Sequence, residues 1–115
     1  MMAIKDIQEL IPALVIPNGA SVSNVLDRTV FGDATAFSLF APGTLDATTF
    51  VIEISPDGTN WFGWEDSSGT AIACPGASKA RVYSSAIFKS MRIKAGANVA
   101  ADRSFSVVKE FLLGG

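Results

Sequence analysis

"TTFVIEISPDGTNWF", residues 48–62, places a strand signal and a turn signal in direct succession. Phe50, Ile52 and Ile54 fall on one side of an extended chain, and Thr49, Val51 and Glu53 on the other. This is the period of two that a half-buried strand requires. The run then meets "SPDG". Pro56 presets φ for the first corner of a turn, Asp57 can bond its own backbone, and Gly58 accepts positive φ. Residues 55–62 also gather a carboxylate, an amide and an indole, the groups a calcium or sugar site would use. A calcium loop places several oxygen ligands at alternate positions, whereas Gly58 and Thr59 separate Asp57 from Asn60 and no second carboxylate lies in the turn. Chain reversal explains the stretch, and neither metal nor cofactor is expected.

Similar apolar and β-branched runs recur on both sides. "IPALVI" (11–16), "ASVSNVLDRTVF" (20–31) and "TAFSLFA" (35–41) precede it. "WFGWED" (61–66), "TAIA" (70–73), "ARVYS" (80–84), "IFKSMRIKA" (87–95) and "RSFSVVKEFLL" (103–113) follow. The connections are "PNG", "APGTLD", "SSG", "CPGAS" and "AGAN", all rich in turn residues. Short strands punctuated this regularly predict an all-β fold, a single antiparallel β-sandwich of jelly-roll type spanning residues 11–115. Within "WFGW", Phe62 and Trp64 share a side and are core candidates, which leaves Trp61 as an ordinary partly buried indole, an interface anchor or a sugar-stacking platform.

Only the first ten residues have helical spacing, through Ile4, Ile7 and Leu10. A segment so short gains order only by packing on something, so residues 1–10 are expected as an N-terminal arm or short turn. The prolines of "IPALVIP" restrict the following strand to an edge or terminal position. An apolar edge is normally covered, which makes Ile4, Ile7 and Leu10 candidates for contact with another subunit. Arg92 and Lys94, sharing one face of "IFKSMRIKA", mark an exposed or subunit-facing strand and are interface candidates.

Composition narrows the function. The 115 residues make one domain, 49% hydrophobic and only 17% charged, so the surface relies on small polar residues and suits being covered by neighbours. There is no histidine, which removes Ser-His-Asp and Cys-His arrangements and imidazole metal sites. The single Cys74 has no charged neighbour in sequence to activate it and reads as a small buried hydrophobe. Carboxylates such as Glu65 and Asp66 occur in any chain of this length, and no enzyme is expected. The start "MMAIKDIQEL" shows neither a signal peptide nor a membrane span. The net charge of −2 is unevenly spread. Residues 1–78 hold two cations and nine anions, and residues 79–115 hold seven cations and two anions. Acidic and basic strands are therefore expected to abut within one molecule. On an acidic chain without a motif, two cations do not make a nucleic-acid site.

The order of pieces, "ISPDGTNW", "EDSSGTAI", "KARVY" and "FKSMRIKAGANVAADRSFSVV", resembles small β-sandwich structural proteins of tailed bacteriophage virions. A Ser-Pro-Asp-Gly type turn (Ser55 to Gly58), a later Arg-containing strand (Met91 to Lys94) and an Ala-rich loop with Asp-Arg (Ala100 to Arg103) carry the likeness, over roughly residues 35–111. The resemblance implies a virion component made in the host cytoplasm, with no catalytic residues to carry over. The expected role is a capsid decoration (cement) protein that bridges major capsid protein subunits and stands on the head surface as a homotrimer. A neck or tail accessory protein is the alternative within that class. A carbohydrate-binding module using Trp61 and Tyr83 is the alternative outside it.

Overall fold

The structure is a computed structural model describing residues 5–32, 34, 36–84 and 89–113. Among the described residues eight strands and one helical turn follow in order: β1 (Lys5–Ile16), β2 (Leu26–Asp27), α1 (Arg28–Phe31), β3 (Ala36–Phe40), β4 (Phe50–Ser55), β5 (Phe62–Gly63), β6 (Ala80–Ser84), β7 (Ser90–Ala95) and β8 (Arg103–Leu113). They form two four-stranded sheets, β1-β8-β3-β6 and β2-β7-β4-β5, with every pairing antiparallel. Apart from the consecutive pair β4 and β5, neighbours in each sheet come from distant parts of the chain, the interleaving of a jelly roll.

Alternation builds the core between the sheets. Phe37 and Leu39 of β3, Phe105 and Val107 of β8, and Leu14 and Ile16 of β1 face Ile52 of β4 and Met91 and Ile93 of β7, all with at most 1% exposure. Phe50 meets Phe105 across the layers, ring centroids 5.9 Å apart. Phe37 stacks on Tyr83 at 5.0 Å and lies 6.4 Å from Trp64, so one aromatic cluster ties β3 and β6 to the segment after β5. Trp64 joins the core as expected. Phe62 does not: it is 58% exposed, because β5 is two residues long and the edge of its sheet ends there.

Two further segments depart from expectation. The stretch 20–31 does not run as a strand. It forms an isolated bridge at Val22, the short β2, and then α1. Asp27 caps that turn by accepting from the Thr29 N–H at 3.1 Å, and Gly32, at φ 56°, ends it, so local capping prevails over β-branched propensity. Residues 5–10, expected as an arm or turn, are the first half of β1, laddered to β8 from Lys5↔Leu113 to Leu10↔Val108. Long-range pairing with an eleven-residue strand outweighs weak helical spacing.

Pro12 explains the irregularity in β1. Ile11 pairs with Val107 but Leu14 pairs with Phe105, so β1 holds one residue more than β8 across this step, a bulge that takes in a residue with no N–H to donate. As the prolines require, β1 is an edge strand. Asn24 covers part of that edge like a short partner strand. Its side-chain oxygen accepts from Val15 N–H at 2.7 Å, its amide donates to Ala13 C=O at 3.1 Å, and its N–H donates to Val15 C=O at 3.3 Å.

The charge asymmetry resolves within the molecule. Three ion pairs among the described residues, Asp27–Lys89, Glu53–Arg92 and Asp46–Arg103, each join an anion of the acidic part to a cation of the basic part.

Candidate functional site

The "SPDG" turn is self-contained. Ser55, 1% exposed, accepts hydrogen bonds from the N–H groups of Gly58 (2.8 Å) and Asp57 (3.3 Å) and donates to the Asp57 carboxylate at 3.1 Å. That carboxylate also accepts from the N–H groups of Asn60 and Thr59 and from the Asn60 side-chain amide, each at 2.8 Å. These donors, the two backbone groups foremost, hold the Asp57 carboxyl far below the ordinary carboxylate range. Gly58 supplies the positive φ of 82°. The oxygens of Asp57 are committed to closing the loop.

The turn sets Trp61 down on the outer face of the β2-β7-β4-β5 sheet. There β7 and β4 pair Arg92 with Glu53 in register. Arg92 Nε donates to Glu53 Oε1 at 2.8 Å, with side-chain exposures of 22% and 15%, and the guanidinium lies 4.3 Å from the Trp61 ring centroid. The expected candidates Trp61 and Arg92 are thus brought together, along with Glu53, which sequence reasoning did not single out. Its signal was its place opposite Arg92, visible only once strands are paired. Lys94 is exposed on the same face, opposite Val51. Tyr83 is buried at 6% exposure, its hydroxyl donating to the Ala73 carbonyl at 2.6 Å, so it is unavailable for sugar stacking.

Of the N-terminal candidates, Leu10 is 73% exposed. Ile4 lies outside the described residues, and so does the side chain of Ile7.

An open cleft of about 370 Å³ lies between residues 45–51 and 73–77, with Cys74 in its lining. Burial pushes the Cys74 thiol up to about 12, so at neutral pH it is not a nucleophile. Asp46 also lines the cleft, but its carboxylate is taken by Arg103 Nε (2.8 Å) and the Ala100 N–H (3.0 Å), which lower its pKa in that order of effect. Among the described residues no three of His, Cys, Asp and Glu gather in a way that would hold a metal ion.

The outer face of the other sheet is different in kind. Leu10, Val108, Ser38 and Val82 lie opposite one another in a row across all four strands, and Phe40 stands one row away between Ser106 and Ala80. Five large hydrophobic residues stand out as exposed among the described ones, and three of them, Leu10 (73%), Val82 (62%) and Phe40 (45%), are on this face. The signal was present in "AFSLF", whose alternation puts Phe40 on the side opposite Phe37 and Leu39.

No family model matches the sequence, and no curated protein does. Among solved structures the fold is similar to that of the SPBc2 prophage-derived protein YomS, with a TM-score of 0.58 at 7% identity, over 96% of this chain and 97% of that one. At that identity the likeness is one of fold alone, over nearly the whole of both chains.

Proposed function

We propose that this chain is a structural component of a tailed-bacteriophage virion, acting as a capsid decoration protein on the head surface, where it bridges major capsid protein subunits. The observation that carries the reading is the fold likeness over nearly full length to a protein of prophage origin. The self-satisfied turn, the buried Cys74 and the tied-up Asp46 and Asp57 are consistent with a surface built for contact. A ligand that binds only the assembled lattice stabilises it by mass action. A small sandwich with exposed loops, the Trp61–Arg92–Glu53 patch and a long β1 edge offers several contact surfaces. Self-association between copies and synthesis in the host cytoplasm belong to the same reading.

The test is electron microscopy of particles together with reconstitution on shells lacking the protein. Density for this chain on the head, and saturable attachment to such shells that raises their resistance to heat, are the expected results. Density at the neck or tail would overturn the decoration role. Glycan binding abolished by Trp61→Ala, without shell attachment, would replace the reading with the carbohydrate-binding one.

A further inference from the structure

We propose that Asn18 is a self-modification site, whose side-chain amide is lost by cyclisation onto the Gly19 nitrogen, and that the hydrogen bond from Gly19 N–H to the Val99 carbonyl holds this reaction in check until the two loops it joins come apart. The inference stands apart from the virion reading, since it concerns only the chemistry of one turn.

Sequence sets the reactivity. Of the four asparagines, Asn24 and Asn98 precede valine and Asn60 precedes tryptophan, whose side chains crowd the approach to the following backbone nitrogen, whereas Asn18 precedes glycine, which has no side chain to do so. The reaction needs only water from outside. The Gly19 nitrogen gives up its proton and attacks the Asn18 Cγ. The N–Cγ bond forms, the Cγ–Nδ2 bond breaks, and the amide takes the proton and leaves as ammonia. Water then opens the cyclic imide at one of its two carbonyls, which gives either aspartate or the isomer whose main chain runs through the side-chain carbonyl. Asn18 is exposed, so water reaches it and ammonia can leave.

Structure sets the restraint. The turn 17–20 between β1 and β2 is closed by Ala20 N–H donating to the Pro17 carbonyl at 2.9 Å, with Gly19 at φ 83°. The loop between β7 and β8 lies against it. Gly19 N–H donates to the Val99 carbonyl at 2.8 Å, Val99 N–H donates to the Ala20 carbonyl at 2.9 Å, and Asn18 N–H donates to Asp102 Oδ1 at 2.8 Å. Val99 is itself buried, which anchors that loop to the core. The proton that must leave is thus shared with a carbonyl, and the plane of the Asn18–Gly19 peptide is fixed. Reaction therefore proceeds from the locally opened form. Asp57–Gly58, the other reactive pair, is restrained at both groups, since Gly58 N–H donates to Ser55 Oγ at 2.8 Å and the Asp57 carboxylate is taken by its own turn.

Modification turns a transient opening into a lasting one. Aspartate at position 18 sets a second carboxylate near Asp102, and like charges so close oppose the loop contact. The isomer adds a methylene to the main chain just before Gly19, which displaces its N–H from Val99.

The experiment incubates the full chain in mildly alkaline buffer, native and in urea, and follows every asparagine by peptide mapping with mass spectrometry. Conversion is expected at Asn18 ahead of the other three, and about 10-fold or more slower in the native state than in urea. Asp102→Ala, which removes the acceptor of the Asn18 N–H, should raise the native rate by about 3–10-fold. Phe37→Leu, placed opposite Lys109 and away from both loops, should lower the melting temperature and leave that rate unchanged well below melting. As a second measurement, Asn18→Asp should lower the hydrogen-exchange protection of the Gly19 and Val99 amides, while Asn18→Ser, which cannot cyclise, should keep it. Equal rates in buffer and urea, conversion led by another asparagine, a rate raised as much by Phe37→Leu as by Asp102→Ala, or protection indifferent to Asn18→Asp would overturn the proposal.

Discussion

Arg92 joins two partners, and replacing it with alanine removes both interactions at once. Its Nε hydrogen bond to Glu53 is charge-assisted, 2.8 Å long and largely screened from solvent, a type whose loss costs about 1.5–3 kcal/mol. Its stack on Trp61, at 4.3 Å from the centroid, adds roughly 0.5–1 kcal/mol at a partly exposed site. A loss of about 2–4 kcal/mol is expected for Arg92→Ala. With unfolding entropy of about 2.1 cal/mol/K per residue over 115 residues, each kcal/mol corresponds to about 4 °C, so the melting temperature should fall by about 8–16 °C. Urea unfolding followed by circular dichroism avoids the change of fluorophore in the companion variant Trp61→Ala. In the double-mutant cycle, Arg92 and Trp61 should couple by about 0.5–1 kcal/mol, and Arg92 and Glu53 (as Glu53→Gln) by more. Arg92→Lys should recover less than half the loss, since an ammonium lacks the planar fork and the stacking surface. Lys94→Ala, two residues along β7, is the control and should change stability by less than about 0.5 kcal/mol. If Trp61→Ala and Arg92→Ala prove additive, the cluster is not a unit and Trp61 is free to act as a binding platform.

Other outcomes follow from single sites. Asp57 is held ionised by four donors of its own turn, so its folded pKa lies below the ordinary aspartate value of 3.8; its contribution is complete above that value and is lost as pH falls towards the folded one. The melting temperature should hold from pH 7 to about 5 and then decline, with Asp57→Asn lowering the neutral plateau and flattening the acid limb; parallel curves for the two proteins would refute this. Phe105→Ala, at a site with no exposure between the sheets, should cost about 3–5 kcal/mol by chemical denaturation, and a loss below about 1 kcal/mol would mean the layers do not meet there. Cys74, buried and with its thiol raised to about 12, should resist thiol reagents in native buffer and react fully in denaturant; equal rates in both would contradict the packing.

What could be read from the sequence was what the chain decides locally. β4 and its turn were legible because period two, Pro56, Asp57 and Gly58 act within eleven residues of one another. The same holds for β8 and for the burial of Cys74. Phe62 and Trp64 were rightly placed on one side of the chain, but which of them is covered depends on where the neighbouring sheet stops. The first half of β1 was hidden because its partner, β8, is nearly a hundred residues away and supplies the order that residues 5–10 lack by themselves. α1 was hidden for the opposite reason, since one carboxylate at Asp27 outweighs a run of strand-forming residues. Trp61 and Arg92 were each visible as candidates, while their meeting required the register of β4 with β7.

The pairing of the first strand with the last governs how the protein comes into being. β1 is synthesised first, yet the ladder it needs is offered by residues 103–113, so the β1-β8-β3-β6 sheet cannot close until β8 has left the ribosome. β3 waits on the same strand, which lies between it and β1. During translation the apolar run of residues 10–16 and the exposed alternation of β3 therefore stand without their sheet partner. Non-local pairing of this kind folds slowly, over milliseconds to seconds, and leaves edges open to wrong partners meanwhile. Yield of soluble protein should thus depend on chaperone supply and temperature during expression more than the stability of the finished fold would indicate.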